Sequence, residues 1–221
     1  MTAYEGRRIF HTAGQLSPAS LHRGIHDLAA RDRDLAQVVR RYGPPPLWAR
    51  PPGFATLVRI ILEQQVSLAS AEAAYFRLQR LVGRVTPGSV AATTESQMRE
   101  AGLTRQKAAY CHNLARAVVD RTLDLAAVAQ LDDQAVRSIL LQLPGVGPWT
   151  ADIYLLMALR RPDIWPQGDL ALARAAQQVK QLRRIPDTEQ LSHIANAWAP
   201  WRAVAARILW HSYLSADGTS N

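Results

Sequence analysis

Residues 143–151 read Leu143-Pro144-Gly145-Val146-Gly147-Pro148-Trp149-Thr150-Ala151. The stretch joins a helix expected to open at Asp132 or Asp133 and end at Leu143-Pro144 to a second helix expected from Pro148 to about residue 159. The two glycines permit a tight turn that other residues would strain. Pro148 suits the first position of a helix, where its missing N–H costs nothing. Val146 is expected to anchor the turn in the core, leaving the amides of Gly145, Gly147 and the new helix's first turn pointing outward. Such unpaired N–H groups make an anion site. An ordinary connection with a glycine stop is the other reading of a bare Gly-x-Gly.

Outward from this hairpin, helix signals recur and strand signals do not, so the fold class is all-α. Asp32 or Asp34 caps a helix through Arg41, closed by Gly43 and the Pro44-Pro45-Pro46 break, where a helix cannot continue. The run from Gly53 puts Leu57, Ile60, Ile61 and Leu62 on a buried side. Ser67 caps a helix to about Leu81, Pro87 starts a short one, and Thr104 caps another carrying Ala108, Leu114 and Val118 on its apolar side. A loop over 161–168 follows the hairpin, and three helices are expected near 169–182, 187–197 and 200–214. The polar tail 215–221 reads as frayed, and residues 1–18 say almost nothing.

The 221 residues are 48% hydrophobic and 20% charged, a globular composition that is neither disordered nor fibrous. No apolar run reaches the roughly 20 residues of a membrane helix. The start, MTAYEGRRIF, has no apolar stretch behind its basic residues and does not read as a secretory signal. One cysteine, Cys111, excludes an internal disulfide and a four-cysteine metal or iron–sulfur site, and six scattered histidines do not build a zinc site. A reducing, cytoplasmic compartment is expected. Lys+Arg 26 against Asp+Glu 18 gives +8, almost all of it arginine, since lysine stands only at 107 and 180. That balance suits a polyanion, nucleic acid or an anionic membrane face, or else reflects genomic base bias. For a nucleic-acid binder, a DNA phosphate is the natural occupant of the hairpin amides.

Two further positions carry chemistry. Asp169, after Gly168 and before Leu-Ala-Leu-Ala-Arg-Ala, reads either as an ordinary N-cap or as a fixed carboxylate at a helix start. Gln64 and Gln65 follow the apolar run 57–62 and read either as a solvated helix end or as polar groups placed for a ligand.

Taken together, these segments resemble the helix–hairpin–helix DNA glycosylase superfamily, and most nearly its 3-methyladenine DNA glycosylase II type. LPGVGPWTA looks like the hairpin. ILEQQVSLASA (61–71) is similar to the helix that supplies the DNA-wedging residue. WPQGDLALARA (165–175) resembles the loop presenting the catalytic aspartate, and WAPWRAVAARILWHSYL (198–214) the C-terminal signature. The likeness covers about residues 53–214 and implies a short form without the N-terminal α/β domain of some long members. It implies two helical lobes around a DNA cleft: 52–161 with wedge and hairpin, and 1–51 plus 162–221 with the aspartate.

The resemblance implies a monofunctional enzyme that turns an alkylated purine, 3-methyladenine above all, out of duplex DNA and hydrolyses its glycosidic bond in base-excision repair. Glycosylases for oxidised or deaminated bases, or a hairpin module that only binds DNA, are the alternatives. Asp169 would stabilise the positive charge that develops on the deoxyribose. Trp149 stands where backbone-cutting relatives carry a lysine, so no lyase activity is expected, and its indole suits an electron-poor base. Trp210 would join it in the pocket, with Ile153, Leu170 and His211 where relatives often have tyrosines. His211 is either a partner of Asp169 or of a substrate edge, or structural. Gln65 would be the wedge beside Gln64, and Gly145, Val146, Gly147 and Thr150 would meet the DNA. No cofactor is expected. Main-chain carbonyls of Leu141, Leu143 and Val146 would hold a sodium or potassium ion at the hairpin. The expected partner is duplex DNA carrying alkylated bases, met by a monomer at the bacterial nucleoid and not at a membrane.

Overall fold

The computed structural model describes residues 14–217; the readings of the start and of 218–221 fall outside them. All regular structure among the described residues is helical, as the sequence reading expected. The elements are α1 (Pro18–Arg31), α2 (Arg33–Tyr42), α3 (Phe54–Glu63), α4 (Leu68–Val82), α5 (Pro87–Ala91), α6 (Glu95–Glu100), α7 (Arg105–Val119), α8 (Leu125–Val128), α9 (Asp133–Leu140) and α10 (Pro148–Ile153). A π-helical turn, Tyr154–Ala158, extends α10. It is followed by α11 (Leu170–Val179), α12 (Thr188–Asn196) and α13 (Arg202–Asp217).

Capping by short polar side chains sets most of these boundaries. Asp32, Ser67, Thr104, Asp132 and Asp187 each accept an N–H from the first turn of the helix they precede. The choice between Asp132 and Asp133 thus falls to Asp132. Three helices were not foreseen: α1, whose Leu21, Gly24, Ile25 and Leu28 form a buried stripe behind a Ser17 cap, and the short α6 and α8. The helix before the hairpin ends at Leu140, earlier than expected, because Gln142 and Leu143 donate to Ile139 and Leu140 in tightened turns. At the far end, α13 continues past residue 214.

α3 is the central helix. Leu57, Val58, Ile60, Ile61 and Leu62 have no exposed surface, and helices α4, α7, α10 and the π turn surround it. A helix apolar on nearly every side has to be enclosed in this way. Helices α3 to α10 pack chiefly on one another, while α1, α2, α11 and α12 gather around α13.

Arg207 of α13 is fully buried, and among the described residues no carboxylate pairs with it. Its guanidinium donates to the carbonyls of Leu47, Ala203 and Leu156, at 2.8, 2.9 and 2.9 Å. Burial pushes its pKa down to about 10, so it remains a cation at neutral pH. Three carbonyl dipoles therefore offset the desolvation of one charge. In doing so they tie α13 to the π turn and to the proline-rich linker 43–53.

Candidate active site

A cleft of about 1780 Å³ opens between the end of α3, the hairpin, the start of α11 and the inner side of α13. Asp169 lies in its wall and is 9% exposed. Gly168, at φ 74°, turns the chain into α11 through a left-handed conformation that a side chain would strain. Asp169 then caps α11, its Oδ1 accepting the Leu172 N–H at 2.8 Å. Two indoles complete the carboxylate's surroundings. Trp149 Nε1 donates to Oδ2 at 2.9 Å, and Trp210 Nε1 to Oδ1 at 3.4 Å. The cap of α11 and the carboxylate in the cleft wall are thus one residue.

The loop that carries Asp169 is held from below. Asp152, fully buried in α10, accepts the Gln167 N–H at 3.1 Å and forms an ion pair with Arg137 of α9. Burial raises its pKa to about 6, with Arg137 acting against that rise.

Gly145 sits at φ 85° directly against the Tyr110 ring; an added Cβ would stand 2.1 Å from the ring's Cγ. Val146 is buried, as foreseen, and its N–H donates to the Leu143 carbonyl at 3.0 Å. Among the described residues, no protein acceptor meets the Gly145 and Gly147 amides, and both glycines line the cleft.

Several expected positions take other parts. Thr150 is 1% exposed and its Oγ1 accepts from Gln64 Nε2 at 2.8 Å, so this side chain braces the hairpin and does not reach outward. Gln64 Nε2 also donates to the Gly145 carbonyl at 2.7 Å, which makes Gln64 a strut between α3 and the hairpin. Gln65 is exposed, lines the cleft and adopts φ 56°. Lys107 fixes the turn beneath it, donating to the carbonyls of Leu62 and Gln64 at 2.7 and 3.0 Å. Ile153 and Leu170 line the cleft, Ile153 deep and Leu170 57% exposed.

His211 takes the structural one of its alternatives, which corrects its expected place in the pocket wall. It does not line the cleft or meet Asp169; its Nε2 lies 3.0 Å from the Tyr42 carbonyl, a contact that requires this nitrogen to donate. Trp48, Met157, Arg174 and Tyr213 line the cleft and were not foreseen. Trp48 sits in a linker, where no helical periodicity marks it. Met157 and Tyr213 lay inside expected helices and carried only the pattern of packing residues.

Residues 58–200 match the model of the HhH-GPD superfamily of base excision DNA repair proteins. This chain belongs to that superfamily. DNA-3-methyladenine glycosylase 1 of Schizosaccharomyces pombe is 24% identical over 208 residues, covering 92% of this chain and 90% of the relative. A Bacillus subtilis protein named "Putative DNA-3-methyladenine glycosylase YfjP" is 25% identical over 167 residues, 72% of this chain; the chain spans only 58% of that relative. Among solved structures, the DNA-3-methyladenine glycosidase of Bacillus halodurans superposes with a TM-score of 0.73 at 28% identity, covering 91% of this chain and 92% of the other.

Proposed function

We propose that this protein is a DNA glycosylase that excises alkylated purines from duplex DNA. The observation that carries the reading is the Asp169 carboxylate in the wall of a deep cleft, gripped by two indole N–H groups whose rings flank the space beside it. The superfamily's repair role and the names of the relatives support it.

In this reading DNA phosphate meets the Gly145 and Gly147 amides, and Gln65 enters the stack as the nucleotide turns out. An N-alkylated purine already carries positive charge, so it departs neutral, taking the electron pair of the bond to C1′. Positive charge then develops on the sugar, and the fixed carboxylate of Asp169 stabilises it. Water forms the new bond to C1′ and gives up its proton, leaving an abasic site. Ring faces at Trp149 and Trp210 favour an electron-poor base. The reaction is hydrolytic only, because the chain has an indole at 149 and no amine there to attack C1′.

No cofactor enters this chemistry. A monovalent cation at the hairpin would be held by the carbonyls of Leu141, Leu143 and Val146. We propose a monomer, since one chain supplies every wall of the cleft. We also propose a cytoplasmic setting, in keeping with the free thiol of Cys111.

The test is base release from duplexes that each carry one lesion: 3-methyladenine, 7-methylguanine, hypoxanthine or ethenoadenine. Asp169→Asn keeps the cap, since asparagine caps as well as aspartate. It should bind DNA normally and release base several orders of magnitude more slowly. Unimpaired turnover by Asp169→Asn refutes the reading, and release of hypoxanthine alone redirects it to deaminated lesions.

A further inference from the structure

Trp48 stands in the cleft wall on the linker between α2 and α3, between Pro44-Pro45-Pro46 and Pro51-Pro52. Its backbone is left-handed, at φ 47°. A bulky L side chain avoids that region, and such strain persists only where the surroundings over-determine it, most often at ligand sites.

The surroundings here do so from both sides. Before Trp48, the Leu47 carbonyl accepts from Arg207 Nε. After it, the Arg50 N–H donates to the Met157 carbonyl at 3.0 Å, and the Gly53 N–H to Tyr154 Oη at 2.9 Å. The flanking prolines stiffen what these bonds fix. The same π turn that receives them also contributes Met157 to the lining of the cleft. Such turns occur frequently at functional sites.

The ring of Trp48 is braced as well. His211 stands edge-on to it, with ring centroids 6.3 Å apart and planes at 64°. His211 is in turn held at the Tyr42 carbonyl and is the chain neighbour of Trp210, whose indole donates to Asp169. A buried cation, a linker and a histidine thus converge on the placing of one half-exposed indole.

We propose that Trp48 is a third aromatic wall of the base pocket and sets its preference for cationic bases, with Arg207 and His211 as positioning residues. This rests on the glycosylase reading above. Stacking on an extruded base is worth roughly a 5- to 100-fold factor, and cation–π attraction adds to it only while the charge is on the base. During bond cleavage that charge passes to the sugar. Trp48 therefore stabilises the bound, flipped state at least as much as the transition state, and its loss should raise KM without lowering kcat.

The experiment compares wild type, Trp48→Phe and Trp48→Ala on duplexes carrying 7-methylguanine or hypoxanthine, with thermal midpoints measured in parallel. Wild type must release 7-methylguanine or, in its place, 3-methyladenine as the cationic lesion; if it releases neither, the alkylpurine reading fails and this inference with it. Given that activity, Trp48→Ala should raise KM for the cationic lesion by roughly 5- to 100-fold. It should raise KM for hypoxanthine distinctly less, and Trp48→Phe should restore part of the difference. Equal losses on both lesions, a loss confined to kcat, or no loss at all overturns the proposal.

Discussion

Trp149 and Asp169 are joined by a 2.9 Å hydrogen bond from the indole Nε1 to Oδ2. One residue starts the helix after the hairpin and the other caps the helix after the next loop, so this bond locks the two segments of the site together. It also fixes the plane of the carboxylate, because the other oxygen is held by the Leu172 amide. Trp149→Phe keeps a ring in the wall and removes the donor. A hydrogen bond to a charged group contributes about 1.5–3 kcal/mol, and part of it is kept by the remaining donors. Single-turnover excision should slow roughly tenfold with DNA affinity unchanged. An unaltered rate would show that the carboxylate needs no such lock.

The same position speaks to the chemistry of the intermediate. A lyase forms a Schiff base that borohydride reduces to a stable enzyme–DNA adduct. With tryptophan at 149, borohydride treatment during turnover should leave no covalent complex on a denaturing gel, and the abasic product should keep its strand intact. A trapped band would assign a nucleophilic amine elsewhere in the cleft.

Gly145 and Gly147 should respond unequally to alanine. At Gly145 a Cβ meets the Tyr110 ring at 2.1 Å and the backbone is left-handed, at φ 85°. At Gly147 nothing lies within 4 Å of that position. Overpacking of this kind costs about 1–3 kcal/mol, and a left-handed alanine adds roughly 1–2 kcal/mol. Gly145→Ala should therefore lower the thermal midpoint by several degrees and weaken DNA binding. Gly147→Ala should leave the midpoint nearly in place. Equal midpoints for the two variants would mean that the hairpin is not seated on Tyr110.

Adjacent glutamines divide structure from function. Gln64→Ala severs bonds of 2.7 and 2.8 Å to the Gly145 carbonyl and to Thr150, and should destabilise the fold by about 1–3 kcal/mol. Gln65→Ala removes an exposed side chain without a hydrogen bond of its own to the protein among the described residues. It should keep the midpoint and slow excision from matched duplexes more than from single strands, where no stack needs to be opened. Denaturation curves and excision rates on both substrates separate these outcomes.

How far the sequence reveals this site depends on the residue. Asp169 and Trp149 are marked by an aspartate after glycine and by the helix–hairpin–helix string, and Trp210 by the likeness of 198–214 to the C-terminal signature; the structure brings the three side chains together. Most helix starts were legible for a local reason: a Ser, Thr or Asp satisfies amides only a few residues away. Trp48 was not, because its place depends on Arg207, 159 positions along the chain, and on a π turn that reads as ordinary α-helix. Thr150 reads as an outward group that packing turns inward, and of the alternatives for His211 the structural one holds. Whether a polar atom faces solvent or a partner such as Gln64 or Tyr42 is settled only when distant segments meet. The Asp152–Arg137 pair is illegible in the sequence for the same reason, since each residue alone resembles a surface charge on a short helix.

That pair gives the fold a pH signature. Asp152 is fully buried, and its pKa is raised from 3.8 to about 6 by desolvation, against the pull of Arg137. Between those values the folded state keeps a proton that the unfolded chain has released. The group's contribution to stability is thus complete below pH 3.8, and it is lost as pH rises through about 6. Asp152→Asn cannot ionise and still offers a carbonyl oxygen to the Gln167 amide, so it should lack this component. The unfolding free energy of wild type minus that of the variant should fall by on the order of 2 kcal/mol between pH 4 and 6.5. Denaturant titrations at a series of pH values read this difference directly. A difference that stays flat, or rises with pH, would mean that the Arg137 guanidinium outweighs burial and holds Asp152 ionised throughout.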